Sequence, residues 1–429
     1  MSVVNDPARR PAFFLLFAVS MVMATGNTAL QSVLPAIGRE IGVADTLIAA
    51  VYSLSALAWT LSAPVWARVS DSQGRKPLVM LGLFGFCLSM AGFGLFVFLG
   101  LKHWAAPAAV FAGLLVSRAI YGLIGSAATP AAQAYVADRT AREERTEAMA
   151  LLASAFGLGT VVGPALAPFF VLPVLGLVRP MAVFVLIGLL TLVLVARGLP
   201  SGDAPTTLTG LLEGVRPTRA ARAESGPSVF KDPEVRPFLI WGFLMGSAQA
   251  LNGQILGFHV IDELGVSPIA AQSFIGIAML AGAGATLIAQ WGLIRLLRLT
   301  PKGLLRWGAG LAVAGNLLLA FAPDFYAVVI GFTLASLGYG FARPGFTAGA
   351  SLAVGTERQG AVAGAITSIN GAAWLVAPVA GVALYEAVAP APFVLNALLL
   401  AGLVAYAVRS PALRQAGEHA VADEVDTPR

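Results

Sequence analysis

Arg118 and Arg343 stand deep inside two long apolar runs of this 429-residue sequence. A guanidinium stays charged at any physiological pH, and one placed at the centre of an apolar span costs about 2.5–3.5 kcal/mol on insertion scales. Each arginine therefore calls for a partner or a water-filled cavity, and no Asp or Glu lies deep in any run to pair with it. Neutral polar residues sit near them or at matching depth: Asn27 with Gln31, Tyr121 with Arg118, Gln249 with Asn252, and Tyr339 with Arg343. Separations of three or four residues put each pair on one helical face. Trp59 and Trp374 can supply stacking walls. Such a set suits recognition of a carboxylate or acidic phenol on a small anionic or zwitterionic amphiphile. For the neutral residues, hydrogen bonding between helices fits the same positions equally well. For Arg343 the alternative is tying helix ends through backbone carbonyls.

Other chemistries find little support. The single cysteine, Cys87, excludes an intrachain disulfide or a cysteine metal cluster. His103, His259 and His419 are too far apart for metal-ligand spacing, so no metal and no cofactor is expected. No close histidine pair or acid pair occurs inside the apolar runs, which leaves a membrane-embedded enzyme as a remote alternative. No phosphate-binding glycine loop with a Lys-Ser/Thr ending is present, which argues against ATP as the driving force.

The elements that position these residues are apolar helices. Hydrophobic residues make up 58% of the chain and charged residues 11%, against about 25% charged in an ordinary globular protein. A bilayer core about 30 Å thick takes roughly 20 apolar residues of helix. Twelve spans result, at 12–37, 46–67, 77–101, 106–137, 146–172, 178–198, 236–261, 268–294, 303–322, 325–353, 359–388 and 391–408. The first run, Phe13 to Leu34, exceeds a signal-peptide core and reads as a retained span. The basic pI of 9.6 does not indicate nucleic acid, because Lys and Arg sit in short loops rather than on a polar domain.

Basic residues orient the spans. Loops on one side hold Arg9, Arg10, Arg68, Arg75, Lys76, Arg139, Arg142, Arg145, the cluster from Arg197 to Arg236, and further basic residues to Arg414. The other side holds Arg39, Lys102 and Arg179. This bias places both termini in the cytoplasm. A polar stretch, 199–234, reads as a linker, with one short helix expected near Leu208–Val215. The expected organisation is a six-helix bundle over 1–198, the linker, a second six-helix bundle over 235–409, and a disordered cytoplasmic tail over 410–429. The bundles look duplicated: Pro130, Gly157 and Pro164 correspond to Pro344, Gly371 and Pro378 at a constant offset of 214 (344 minus 130). Duplicated helical repeats of this kind place a substrate site at the midplane between them.

The loop between spans 2 and 3 reads Ala67-Arg68-Val69-Ser70-Asp71-Ser72-Gln73-Gly74-Arg75-Lys76-Pro77. It resembles the Gly-x-x-x-Asp-x-x-Gly-Arg-Lys signature of the major facilitator superfamily, with Ala67 in place of the first glycine. Asp71, Gly74 and Arg75, with Asp138 and Arg145 at the ends of neighbouring spans, are read as a gate whose charge pairs break when the halves rock. Arg118 and Gly122 resemble that superfamily's Arg-x-x-x-Gly pattern on helix 4. Gly159, Gly163 and Pro164 resemble the Gly-x-x-x-Gly-Pro signature of its drug:proton antiporter group, in the tetracycline-efflux-like branch. Gly122, Gly159, Gly163, Pro164 and Pro378 are assigned to tight helix packing and kinks. Where that branch carries a helix-1 acid, this sequence has Met23, and the glycine pair expected after Pro164 is Ala167-Pro168.

The resemblance implies an all-α membrane protein of the major facilitator fold, with twelve helices in two pseudo-symmetric bundles. It implies a multidrug-type efflux antiporter of a bacterial inner membrane, working by alternating access as a monomer. Its partners would be a small-molecule substrate, protons and the lipid bilayer. A proton-coupled importer of a small organic acid or other metabolite is the alternative. Candidate proton carriers are Asp71 and Asp138 on the inner side, and His259, Asp262 and Glu263 near the outer end of span 7.

Overall fold

The structure, a computed structural model, describes residues 10–140, 145–170, 176–200, 229–355 and 358–416, without the side chains of 71–72, 145–147, 150, 153, 165, 168–170 and 360. Every regular element among the described residues is helical. The first bundle holds α1 (Arg10–Ile41), α2 (Asp45–Gln73), α3 (Arg75–Leu101), α4 (Pro107–Leu123), α5 (Ala128–Arg139), α6 (Arg145–Phe170) and α7 (Arg179–Gly198). The second holds α8 (Arg236–Leu264), α9 (Gln272–Leu287), α10 (Pro301–Ala320), α11 (Phe325–Leu352), α12 (Gln359–Ala387), α13 (Ala391–Arg409) and the short α14 (Pro411–Arg414).

A 3₁₀ turn, Gly125–Ala127, joins α4 and α5 into one crossing, and a π-helical segment, Ile288–Leu293, extends α9. The spans expected at 106–137 and 268–294 are therefore continuous crossings with a local change of winding. Ten crossings meet both a length and a hydropathy standard for spanning a membrane. The other two, α6 and α8, run 26 and 29 residues, or about 39 and 43 Å at 1.5 Å per residue. With them the described residues supply helices long enough for twelve crossings.

The chain divides into two compact units, Met1–Ala223 with Ser267–Gly276, and Glu224–Val266 with Ile277–Arg429. Helix pairing inside each follows one plan. In the first unit α1 packs on α6, α3 on α4, and α3 on α7. The equivalent crossings of the second unit pair likewise: α8 on α12, α10 on α11, and α10 on α13. This agreement is the structural form of the repeat spaced by 214 residues.

Small residues explain the close seams, because packing between apolar helices in lipid depends on backbones approaching one another. A Cβ on Gly159 would meet the Ala24 Cβ and the Met21 carbonyl oxygen at 2.7 Å each, and one on Gly163 would strike Thr28 and the Thr25 carbonyl. Both glycines thus face α1. Gly122 faces α2, where a Cβ would meet the Ser55 carbonyl at 2.5 Å. On the α10–α11 seam, Gly308 abuts Gly338 and Gly315 abuts Gly331. Pro164 and Pro378 lie buried within α6 and α12.

The ends of the expected linker and tail are packed. Val229 and Val235 are buried in the second unit beside Phe238 and Trp241. Residues 411–416, assigned from sequence to a disordered tail, instead form α14 and the turn after it, with Leu413 and Ala416 in the same core. Their apolar side chains have a cluster to join. The linker helix expected near Leu208–Val215 lies outside the described residues.

Candidate functional site

Arg118 is only 2% exposed, among the largest fully buried side chains of the chain. It sits on α4, and its Nη2 donates to the Asn27 Oδ1 of α1 at 2.7 Å. Its guanidinium carbon lies 4.7 Å from the Tyr52 ring centroid and 4.5 Å from that of Tyr121. The electron-rich ring faces attract the cation, and Tyr52 is fixed in turn by donating its hydroxyl proton to the Asn27 carbonyl at 3.0 Å. Trp59 packs on Tyr121 with centroids 5.3 Å apart, and Phe86 meets Tyr121 edge-on at 6.1 Å. The Arg118 Nε and Nη1 groups are buried without a protein acceptor. Among the described residues no carboxylate forms an ion pair with Arg118.

The partner demanded by a buried arginine is thus an amide oxygen and two aromatic faces. Sequence reading paired Arg118 with Tyr121 but missed Tyr52. The signal was available: Tyr52 and Trp59 are seven residues, two turns, apart on α2 and share a face. Gln31 lies on α1 half-buried, one turn beyond Asn27.

In the second unit the expected residues separate. Asn252 and Tyr339 are buried and bonded together, with Asn252 Nδ2 donating to the Tyr339 hydroxyl oxygen at 3.0 Å. Asn316 Nδ2 donates to the same oxygen at 3.3 Å, and Asn396 Nδ2 donates to Asn252 Oδ1 at 3.0 Å. This network ties α8, α10, α11 and α13 through their polar atoms, since an unmet polar group in an apolar interior costs about 1–3 kcal/mol. Asn252 and Tyr339, expected to touch substrate, are bonded to each other across α8 and α11. Gln249 and Arg343 are exposed on the surface of their unit, and Trp374 is half-buried. Tyr339 is buried whereas Arg343 is exposed.

The loop at residues 67–77 is compressed to one residue. Gly74 alone separates α2 from α3, at φ 87° and ψ 158°, a backbone conformation restricted to glycine. Pro77 follows in the first turn of α3, where its missing N–H is harmless. This sharp turn presents two adjacent cations. Arg75 Nε donates to Asp138 Oδ2, at the end of α5, at 2.9 Å, and Arg75 Nη1 donates to the Ser70 Oγ at 3.2 Å. Lys76 Nζ donates to the Ala196 carbonyl at 2.8 Å, in the last turn of α7, where helical carbonyls lack intrahelical partners. The side chains of Asp71 and Arg145, the other expected gate residues, lie outside the described residues.

A model of the Major Facilitator Superfamily matches residues 16–378. The chain belongs to that superfamily. It is a membrane transporter and not an enzyme. It is 26% identical over 419 residues to the tetracycline resistance protein, class G, of Vibrio anguillarum, covering 91% of this chain and 94% of the relative. It is 32% identical to the class D protein of Salmonella ordonez and 26% identical to multidrug resistance protein 2 of Bacillus subtilis (strain 168). Those two likenesses cover 37% and 36% of each chain. Among solved structures, the human organic anion transporter MFSD10 (TETRAN) superposes with a TM-score of 0.63 at 20% identity, covering 94% of this chain and all of that one. An inward-facing, unoccupied bacterial homolog of the human lysosomal transporter Spinster gives a TM-score of 0.69 at 15% identity, covering 96% and 98%. These two show a shared fold.

Proposed function

We propose that this transporter exports a small amphiphilic compound, anionic or zwitterionic, in exchange for protons by alternating access. The observation that carries this reading is Arg118. A permanent cation held between Tyr52 and Tyr121, with Nε and Nη1 unpaired, suits an incoming carboxylate or phenolate oxygen. Hydrogen bonds to charged groups are worth about 1.5–3 kcal/mol, and the flanking rings suit an apolar or aromatic body beside the acid. The acid reaches the guanidinium edge when the aromatic faces part. In the second unit, Arg343 and Gln249 are exposed and offer a further cation and amide for the same class of ligand.

Export as the direction is supported by the full-length likeness to a tetracycline resistance protein and by the shorter likeness to a multidrug resistance protein. An acidic substrate class accords with the description of MFSD10 as an organic anion transporter. One proton moving inward supplies about 2.3 kcal/mol per 100 mV and about 1.4 kcal/mol per pH unit. That suffices for a gradient of a hundredfold or more. The Arg75–Asp138 pair is the proposed latch between conformations, with both termini on the cytoplasmic side of a bacterial inner membrane.

Growth protection of a pump-deficient bacterial host against acidic, zwitterionic and cationic toxic compounds tests the reading. Protection confined to acidic and zwitterionic compounds is the expected result. Protection against lipophilic cations alone contradicts the substrate class, and whole-cell accumulation in place of protection contradicts export.

A further inference from the structure

Toward the end of α8 remote from Arg236, His259 belongs to a chain of polar groups separate from Arg118. Its Nδ1 lies 3.4 Å from the Tyr385 hydroxyl of α12, and that hydroxyl donates to Asp262 Oδ2 at 2.8 Å. Tyr385 is buried, while Asp262 is exposed. Phe393 of α13 packs against the imidazole with centroids 5.0 Å apart, and Tyr385 meets it edge-on at 5.9 Å. The backbone of Leu319, in the last turn of α10, also faces the ring. The Nε2 atom is buried with no hydrogen-bond partner.

This geometry favours one tautomer. Tyr385 donates its hydroxyl proton to Asp262, so the Nδ1 of a neutral His259 is placed to carry the proton and donate to the tyrosine oxygen. Nε2 is then an unprotonated nitrogen with an open lone pair. The acids and the phenol in the segments at this end are Asp262 and Glu263 on α8, Tyr385 and Glu386 on α12, and Asp324 ahead of α11, of which Tyr385 bonds His259 and Asp262 bonds Tyr385. The basic residues of the helices packed here, Lys302 and Arg306 on α10 and Arg409 on α13, lie toward the opposite ends of those helices. The last-turn carbonyls of α10 add the negative end of a helix dipole. A cation at His259 therefore faces Asp262, reached through Tyr385, and the backbone of Leu319.

We propose that the His259 Nε2 is a proton-binding site of the second unit, its two states distinguished by an imidazole and an imidazolium. Protonation creates an Nε2–H beside the end of α10 while Nδ1–H remains on Tyr385. One proton thereby ties α8, α10 and α12 together at this end, and its loss releases α10. The proton comes from water and returns to water, and no other bond changes. The proposal deepens the proton-exchange reading and rests on it for its role in transport.

Full-length protein in lipid nanodiscs, with histidines labelled in both ring nitrogens, tests the site by NMR without a substrate. His103 and His419 serve as internal references. Neutral His259 is expected as the Nδ1–H tautomer and is expected to pass to the imidazolium as pH is lowered. Tyr385→Phe and Asp262→Asn are each expected to weaken its proton binding at least threefold, leaving the two references unmoved. An Nε2–H tautomer, no titration, or indifference to both variants overturns the site. In proteoliposomes with carboxyfluorescein as probe, the ratio of gradient-driven to gradient-free uptake is expected to fall at least tenfold in His259→Gln. An unchanged ratio overturns the coupling role. If the unmutated protein moves carboxyfluorescein without responding to a proton gradient, proton exchange fails, and the NMR result still decides the site.

Discussion

Asn27 accepts a hydrogen bond from Arg118 at 2.7 Å, and the same residue's backbone oxygen accepts from Tyr52 at 3.0 Å. One residue of α1 therefore fixes both the buried cation of α4 and an aromatic face that covers it. Asn27 is neutral, so the positive charge of Arg118 is oriented without being cancelled.

Asn27→Asp places a carboxylate where the amide oxygen stands and converts the contact into an ion pair. Export of acidic compounds is expected to fall tenfold or more, with cationic compounds gaining relative to them. Competition assays in whole cells measure the ratio. An unchanged preference shows that Arg118 does not set selectivity.

The Arg75–Asp138 pair is partly exposed, and exposed pairs contribute only about 0.2–1 kcal/mol to stability. Asp138→Asn is therefore expected to leave the melting temperature nearly unchanged while lowering the transport rate severalfold. The exchange Arg75→Asp with Asp138→Arg should restore part of the rate. A stability loss matching the rate loss makes the pair structural rather than a latch.

Gly163→Ala forces a methyl group against Thr28 and the α1 backbone, whereas a Cβ at Gly157 meets nothing within 4 Å. Overpacking costs about 1–3 kcal/mol, so Gly163→Ala should lower thermal stability clearly and Gly157→Ala should not. Thermal melts in detergent compare the two. Equal effects remove the assignment of Gly163 to the α1–α6 seam.

Asp232 accepts from the Glu234 backbone N–H at 2.9 Å and pairs with Arg358 at 2.6 Å. The Glu234 bond first, and Arg358 after it, hold its carboxyl below the usual value of 3.8. A depressed carboxylate stabilises the fold above its unfolded value and loses that contribution as pH falls through the lower folded value. The melting-temperature difference between the unmutated protein and Asp232→Asn is expected to be constant near neutrality and to shrink in acid below about pH 4. A difference independent of pH argues against the ion pair.

The fold was legible because apolar runs, loop charges and duplicated prolines each carry a constraint that one sequence displays. The site was legible in part. A lone deep arginine announces its need for a partner, but its type does not say whether an acid, an amide or a ring supplies it. Asn252 and Tyr339 show the limit most clearly. A polar residue in an apolar helix looks the same whether it meets substrate or another helix, and the bonds that Asn316 and Asn396 make to this pair are not visible in the sequence. Tyr385 escaped notice because it gains meaning only from His259 and Asp262, more than 100 residues earlier in sequence.

Everted membrane vesicles test the central claim most directly. With an imposed proton gradient, acid inside, vesicles bearing the unmutated transporter should accumulate an acidic amphiphile such as carboxyfluorescein. That accumulation should disappear when the gradient is collapsed, and fall at least tenfold in Arg118→Gln. Accumulation that survives collapse of the gradient, or that is equal in Arg118→Gln, contradicts proton-driven export of acidic compounds through the Arg118 site.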